Sequence, residues 1–262
     1  MVNQANPKPA CSLLISDLHL SANRPDLCQA FANYCRDIAS TAQSLFILGD
    51  LSDAWLGDDE KSATAELIRT SLKALTAGGT VVKILPGNRD FLMGSGLANE
   101  CNLSILADPT LEVIHDHRIL LLHGDSLCVD DVDYMKFRRR IQSPLVKKLL
   151  LALPLGLRRS IASGLRAQSK SANARKAEEI MDVNQIAVNE AFRDNAASIM
   201  IHGHTHRPRA HEYSIDGATA RRYVLGDWDI LGWQIRVTRE KIELQSFDLQ
   251  RLITETGNHD RS

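Results

Sequence analysis

Aromatic residues make up only 5% of the 262-residue chain, and its five cysteines include no CxxC pair. Cysteines at 11, 28, 35, 101 and 128 fit neither a disulfide framework nor a zinc–thiolate site, and they suit a reducing cytosol. The opening stretch, MVNQANPKPACS, lacks a basic segment followed by an apolar one, so no secretory leader is expected. No apolar run is long enough to cross a bilayer: the longest, 149–157, is interrupted by Pro154 and Gly156. One further absence is local. From Lys136 to Lys176 there are twelve Lys and Arg and not a single Asp or Glu, while the remaining residues carry 19 basic against all 32 acidic ones. A basic block in an acidic chain points to an anionic partner, with a solvated helix face as the plainer explanation.

What is present is a core and a rhythm. Apolar residues are 44% of the chain, enough for one large domain or two small ones. Short apolar runs at 12–15, 44–48, 81–85, 119–122, 199–201 and 223–225 each end in a polar cluster: SDLHL, GDLSD, PGNRD, HGDS, HGHTH and GDW. Such runs read as buried strands. Helical patterns at 25–40 and 64–77 lie between the first three, so the chain is expected to be α/β, with its ligands gathered at the carboxyl ends of the strands. The rhythm breaks near residue 130. Residues 131–195 are expected to form helices broken at Pro144, Pro154 and Gly156, a helical insertion or lid over the strand ends within one domain spanning 1–262. Leu157, Ile161 and Leu165 make an apolar stripe flanked by arginines. A hairpin is expected over 233–238 and 241–247, and the last dozen residues are expected to fray.

The clusters supply carboxylates, imidazoles and one amide oxygen, the donor set of Mn²⁺, Mg²⁺, Fe or Zn²⁺. Asp17-x-His19 and His204-x-His206 put both side chains on one face of an extended segment. Taken singly these pairs are weak. His115-Asp116-His117 is best read as a hairpin turn, His202 as a strand-end histidine, and His211 and His259 as surface and tail residues. Five clusters in one order are more specific. D-x-H, GD, GN, H and GHxH, over Asp17 to His206, resemble the signature of the calcineurin-like metallophosphoesterases. The resemblance implies a four-layer αββα sandwich with two metal ions. It places Asp17, His19 and His206 on one ion, Asn88, His123 and His204 on the other, and Asp50 between them. Two such ions activate water at neutral pH and offset charge on a phosphoryl oxygen.

Arg89 narrows the chemistry. Most of that superfamily has a histidine after the GN, a proton donor for the leaving oxygen. Arginine cannot donate a proton in this way but can hold a phosphate bidentately. A phosphate leaving group needs no proton, so Arg89 favours a pyrophosphate substrate; the plainer reading pairs it with Asp90. Longer stretches, GDLSDAWLGDD, GNRDFLMG, HGDSLCVDD, IMDVNQ and HGHTHRP, are similar to the UDP-2,3-diacylglucosamine pyrophosphohydrolase family of lipid A biosynthesis. Ser52-Asp53 and the start at Lys8–Cys11 depart from that family's usual pattern.

The resemblance implies hydrolysis of UDP-2,3-diacylglucosamine to UMP and 2,3-diacylglucosamine 1-phosphate, with two Mn²⁺ or alternatively Mg²⁺. It implies work at the anionic cytoplasmic surface of the inner membrane, with no nucleic acid and no protein partner. Catalytic roles fall on Asp50, Asn88, Arg89 and His204, and substrate contacts on Asn88, Arg89, Asp131, Ser169, Asn173, Lys176 and His204. Each basic residue of the block near an anionic surface would contribute roughly 1 kcal/mol. Two other readings compete: a nuclease or nucleotide phosphodiesterase that uses the block for nucleic acid, and a non-catalytic scaffold.

Overall fold

A computed structural model describes residues 10–173 and 182–254. The chain begins with β1 (Ser12–Ile15), buried along its whole length, then α1 (Pro25–Asp37), which opens on a proline whose fixed φ suits the first helical turn. β2 (Ser44–Ile47) follows, then α2 (Ala63–Ala77), started by Ser62 Oγ accepting from the Ala65 amide, and β3 (Val81–Ile84). Next come α3 (Ser95–Cys101), β4 (Ser104–Ile105), β5 (Thr110–Ile114) and β6 (His117–Leu121). Four helices come next: α4 (Val132–Ile141), α5 (Pro144–Ala152), α6 (Leu155–Asn173) and α7 (Gln185–Asp194). The chain then forms β7 (Ile199–His202), β8 (Arg209–Ile215), β9 (Ala218–Val224), β10 (Leu231–Val237), β11 (Ile242–Asp248) and α8 (Leu249–Thr254).

Among the described residues the strands form two sheets, β11-β10-β1-β2-β3-β4 and β5-β6-β7-β9-β8. Leu14, Phe46, Leu48 and Leu85 from the first meet Ile119, Leu121, Ile201 and Leu225 from the second in a closed apolar layer. On the outer side of the first sheet, Phe31, Tyr34, Ile68, Leu72 and Leu97 bury α1, α2 and α3. On the outer side of the second, Val188 and Phe192 of α7 pack on Leu120, Leu122 and Met200. The result is the αββα sandwich expected from the sequence. Each fully buried leucine or phenylalanine stabilises it by about 1.5–3 kcal/mol through removal of apolar surface from water.

Four local expectations are corrected. Gly156 does not break a helix: α6 runs through it, because only Pro154 lacks the amide a helix needs. α7 is a layer of the sandwich by virtue of Val188 and Phe192, so the helices standing apart from it are α4, α5 and α6. Of the last dozen residues, 255–262 lie outside the described residues, while 251–254 continue α8 instead of fraying. Leu249 and Leu252 of α8 are buried, and Asn33 Nδ2 of α1 donates to the Leu252 carbonyl. Strands β5 and β8 were not anticipated. Both are edge strands whose residues, apart from buried Ile114, are half-buried or exposed, so they have no apolar run to announce them. The turn joining β5 to β6 is the expected one: His115 and Asp116 sit at φ 48° and 73°, the pattern of a tight hairpin turn.

Candidate metal centre and the chamber beside it

Parallel pairing of β1 with β2, β2 with β3, and β6 with β7 brings the carboxyl ends of these strands to one edge of the sandwich. The polar clusters follow there. The ladder continues into them: Asp17 N donates to Gly49 O and His19 N to Asp50 O, both at 3.0 Å, and Gly203 N donates to His123 O at 2.8 Å. Among the described residues, ten non-glycine positions have positive φ, and five of them are Asp17, His19, Asp50, His204 and His206. Left-handed backbone costs an ordinary residue energy, and its concentration here marks a built site. Gly49, at φ +88°, is required by both conformation and space, since a Cβ there would overlap the His123 ring and the backbone of Gly87.

These loops assemble two overlapping groups. Asp17, His19 and His206 form one; Asp17, Asp50 and His123 form the other, with ligand atoms in each within 4.8 Å of one another. Asn88 Oδ1 lies 2.9 Å from His123 Nε2, and the His204 ring meets that of His123 edge-on at 5.0 Å. All seven expected ligands therefore gather in one place. Asp17, expected on one side only, lies within reach of both groups.

The donor set fits cations. Asp17 Oδ1 is buried and lacks a hydrogen-bond partner among the described residues. His123 Nδ1, 2.9 Å from the Leu48 carbonyl, can only donate to it, which leaves Nε2, 2.9 Å from Asn88 Oδ1, to carry either a second proton or a cation. His19 Nε2 and His206 Nε2 lie 3.4 Å apart.

Charge balance points the same way. Burial opposes charge on His123, but Asp50, Asp17 and Asp125 outweigh it and push its pKa up to about 9. For His206, burial is outweighed by Asp17 and Asp227, and the pKa rises to about 10. Burial pushes Asp50 up to about 6, and burial with the neighbouring His123 pushes His204 down to about 4. Asp17 is held well below the carboxylate range: burial raises it, and His206, His123 and His19 overcome that. Buried carboxylates here draw protons onto neighbouring imidazoles where metal charge would serve.

Support comes from groups outside the expected ligand set, Asp90 among them as the local support its place beside Asn88 suggests. Asp90 accepts from Gly87 N at 2.6 Å, Leu51 N at 2.7 Å and Asp50 N at 3.3 Å, tying two ligand loops together. Its carboxylate thus faces backbone amides, and the pairing with Arg89 considered from the sequence is not how it is used. Asp227 Oδ2 lies 3.5 Å from His206 Nδ1. The GDW cluster was a visible signal for Asp227, but nothing in the sequence said which histidine it would meet.

Beside the cluster lies a cavity of about 250 Å³. Asn88 and Arg89 line its polar end. Trp55, Phe91 and Leu92 of the sandwich face Phe137, Ile141, Leu150, Ile161 and Leu165 of α4, α5 and α6. From the expected apolar stripe, Ile161 and Leu165 line this chamber while Leu157 is exposed. The basic block divides similarly. Arg138 pairs with Asp108 and Asp125, Arg158 with Asp59, and Arg166 with Asp53 at 2.6 Å, so these arginines bind the sandwich instead of an external anion. Asp131 caps α4, accepting from Tyr134 N at 3.1 Å. Ser169 and Asn173 lie on the last turns of α6, and Lys176 lies outside the described residues. His202 is a buried strand-end residue, as expected, and His211 is half-buried on β8; His259 lies outside the described residues.

Comparison with known proteins is consistent with this geometry. The model of the calcineurin-like phosphoesterase family matches residues 12–208. A protein of Photorhabdus laumondii named UDP-2,3-diacylglucosamine hydrolase is 44% identical over 237 residues, 90% of this chain and 99% of its own. A protein of the same name from Yersinia enterocolitica is 43% identical over 236 residues, 90% of this chain and 98% of its own. Among solved structures, an archaeal phosphodiesterase aligns over 91% of this chain and 99% of its own, at 13% identity and a TM-score of 0.46.

Proposed function

Because the chain belongs to the calcineurin-like phosphoesterase family, alongside relatives named UDP-2,3-diacylglucosamine hydrolase, we propose that it hydrolyses the pyrophosphate bond of UDP-2,3-diacylglucosamine. The products are UMP and 2,3-diacylglucosamine 1-phosphate. The observation that carries this reading is the adjacency of a carboxylate–imidazole cluster to an apolar chamber, with Arg89 lining the chamber beside Asn88.

Asp17, His19 and His206 would hold one ion and Asn88, His123 and His204 the other, with Asp50 between. Oxygen and imidazole donors without thiolate suit Mn²⁺, with Mg²⁺ as the alternative. When bound, the two ions bring the pKa of water toward neutrality and neutralise phosphoryl charge. The protein's own groups do the rest. Arg89 presents a permanently charged, planar set of donors to the phosphates and holds no proton it can give. That suits a leaving group that departs as a stable phosphate. Arg89, Asn88, His204 and Asp50 are the catalytic set. Asp131, Ser169, Asn173 and Lys176 contact the substrate beneath the cap of α4, α5 and α6, and the chamber takes acyl chain. The chain works as one domain, residues 1–262.

Among the described residues no helix is long and apolar enough to cross a membrane. Attachment to the cytoplasmic face of the inner membrane is supported by Leu145, Leu149 and Leu157, which are 70%, 60% and 49% exposed, within the basic block. The test is incubation of the Mn²⁺-loaded protein with the substrate in isotopically labelled water. Attack on the phosphorus of the uridylyl half, with the lipid phosphate leaving, makes UMP carrying the label the expected product. Absence of UMP, with two Mn²⁺ bound per chain, would overturn the assignment, and label in the lipid phosphate would overturn the site of attack.

A further inference from the structure

α4 forms one wall of the chamber, yet among the described residues it contributes no buried side chain and joins none of the three apolar clusters. Hydrophobic burial therefore does not explain why it stands where it does. Its contact with the sandwich is polar. Tyr134 and Arg138, four residues apart on one face, reach the same carboxylate oxygen: Asp125 Oδ2 accepts from Tyr134 Oη at 2.6 Å and from Arg138 Nε at 2.8 Å. Arg138 Nη2 continues to Asp108 Oδ2 at 2.7 Å, and Asp108 Oδ1 accepts from the backbone N of His123 at 3.3 Å. Asp125 is fully buried, stands two residues after His123, and its Oδ1 has no hydrogen-bond partner among the described residues. The Tyr134 ring stacks on that of His204, with centroids 6.2 Å apart.

We infer that Asp125 is the seat of α4, and that Arg138 is a positioning residue for substrates reaching beneath the helical cap. Arg138 does not line the chamber. It acts by holding two buried carboxylates and, through them, registering the chamber wall against the loop that carries His123. A small phosphodiester needs only the metal cluster, whereas a substrate with a long apolar arm needs the wall as well. Removing the guanidinium would leave two buried carboxylates facing each other, which releases the helix from its anchor instead of merely loosening one contact.

The inference rests on the proposed function for its large substrate, and its test separates the two. The full Mn²⁺-loaded chain, Arg138→Met and Arg138→Lys are compared by backbone hydrogen exchange and by kcat/KM on UDP-2,3-diacylglucosamine and bis(p-nitrophenyl) phosphate. In Arg138→Met, exchange across 132–141 should rise about tenfold or more with the sheet strands unchanged. Turnover of the lipid should fall about tenfold or more, with the small diester within about threefold. Arg138→Lys, which keeps the charge but cannot bridge both carboxylates, should be intermediate and carries the test if Arg138→Met fails to fold. Unchanged exchange in α4, or parallel loss on both substrates, overturns the inference. A wild-type chain that turns over only the small diester overturns the proposed function, and the exchange result then decides whether α4 is seated by Arg138.

Discussion

Arg89 and Gly203 show two kinds of information a single residue can hold. On the proposed function, Arg89 matches a leaving group that needs no proton. Histidine in its place would supply a proton donor and forfeit a bidentate phosphate contact. We therefore expect Arg89→His to lower kcat/KM on the proposed pyrophosphate substrate by roughly tenfold or more, since a lost charge-assisted hydrogen bond is worth about 1.5–3 kcal/mol. A gain in steady-state turnover of that substrate would contradict this reading. Gly203 carries information by having no side chain. A Cβ there would overlap Asp17 Oδ2 and Ser16 Oγ, where Asp17 Oδ2 also accepts from His204 N at 2.9 Å. Gly203→Ala should fold, because the overlap is confined to the ligand loops, but should bind less than its full complement of Mn²⁺ by metal analysis. A full complement with wild-type affinity would show that the loop can shift at no cost.

At the scale of elements, the cap separates into an inner and an outer surface. Ile161 and Leu165 turn inward to the chamber. Arg158, 4% exposed, donates to the Leu56 carbonyl and the Asp59 carboxylate, and Arg166 reaches Asp53. Arg158 and Arg166 are thus paired within the chain, and the nucleic-acid alternative cannot call on them. Leu145 and Leu149, one turn apart on α5, face outward. Replacing both with aspartate should abolish flotation with anionic vesicles at low salt, because apolar contact and charge attraction are lost together. Turnover of detergent-dispersed substrate should be retained. Continued flotation would place the membrane contact elsewhere.

The whole molecule holds its site at an electrostatic cost. Without metal, His123 and His206 have folded pKa values raised to about 9 and about 10, from 6.5. The folded state then binds more protons than the unfolded one. The resulting stabilisation is fully present below about pH 6.5 and is lost as pH rises through 9 to 10. The melting temperature of the metal-free protein should therefore fall across that window. With Mn²⁺ bound, the ions replace those protons, so the increment in Tm from metal should widen as pH rises, until hydroxide competes. Calorimetry of both forms checks the sign; a metal-free Tm that climbs over this range would refute it.

How much of this was legible beforehand depends on where each residue's partners lie. β1, β2, β3, β6 and β7 announced themselves, because strands buried on both faces are continuous apolar runs. The metal-ligand candidates were visible as well, since each stands directly after such a run and parallel pairing brings those ends together. The edge strands β5 and β8, half in water, left no comparable pattern. Asp90, Asp125 and Asp227 stood in visible clusters, PGNRD, HGDS and GDW, but the amides, arginines and histidines they meet across the fold were not written there. The sequence by itself determined the layers and the chemistry of the ligand set, both of which follow from local runs and residue type. Only the tertiary structure decided that Arg138, Arg158 and Arg166 bind the sandwich, that α7 belongs to it, and that Asp125 seats α4. Those outcomes turn on geometry between residues from 9 to 113 positions apart, and a charge carries no record in the sequence of the partner it will find.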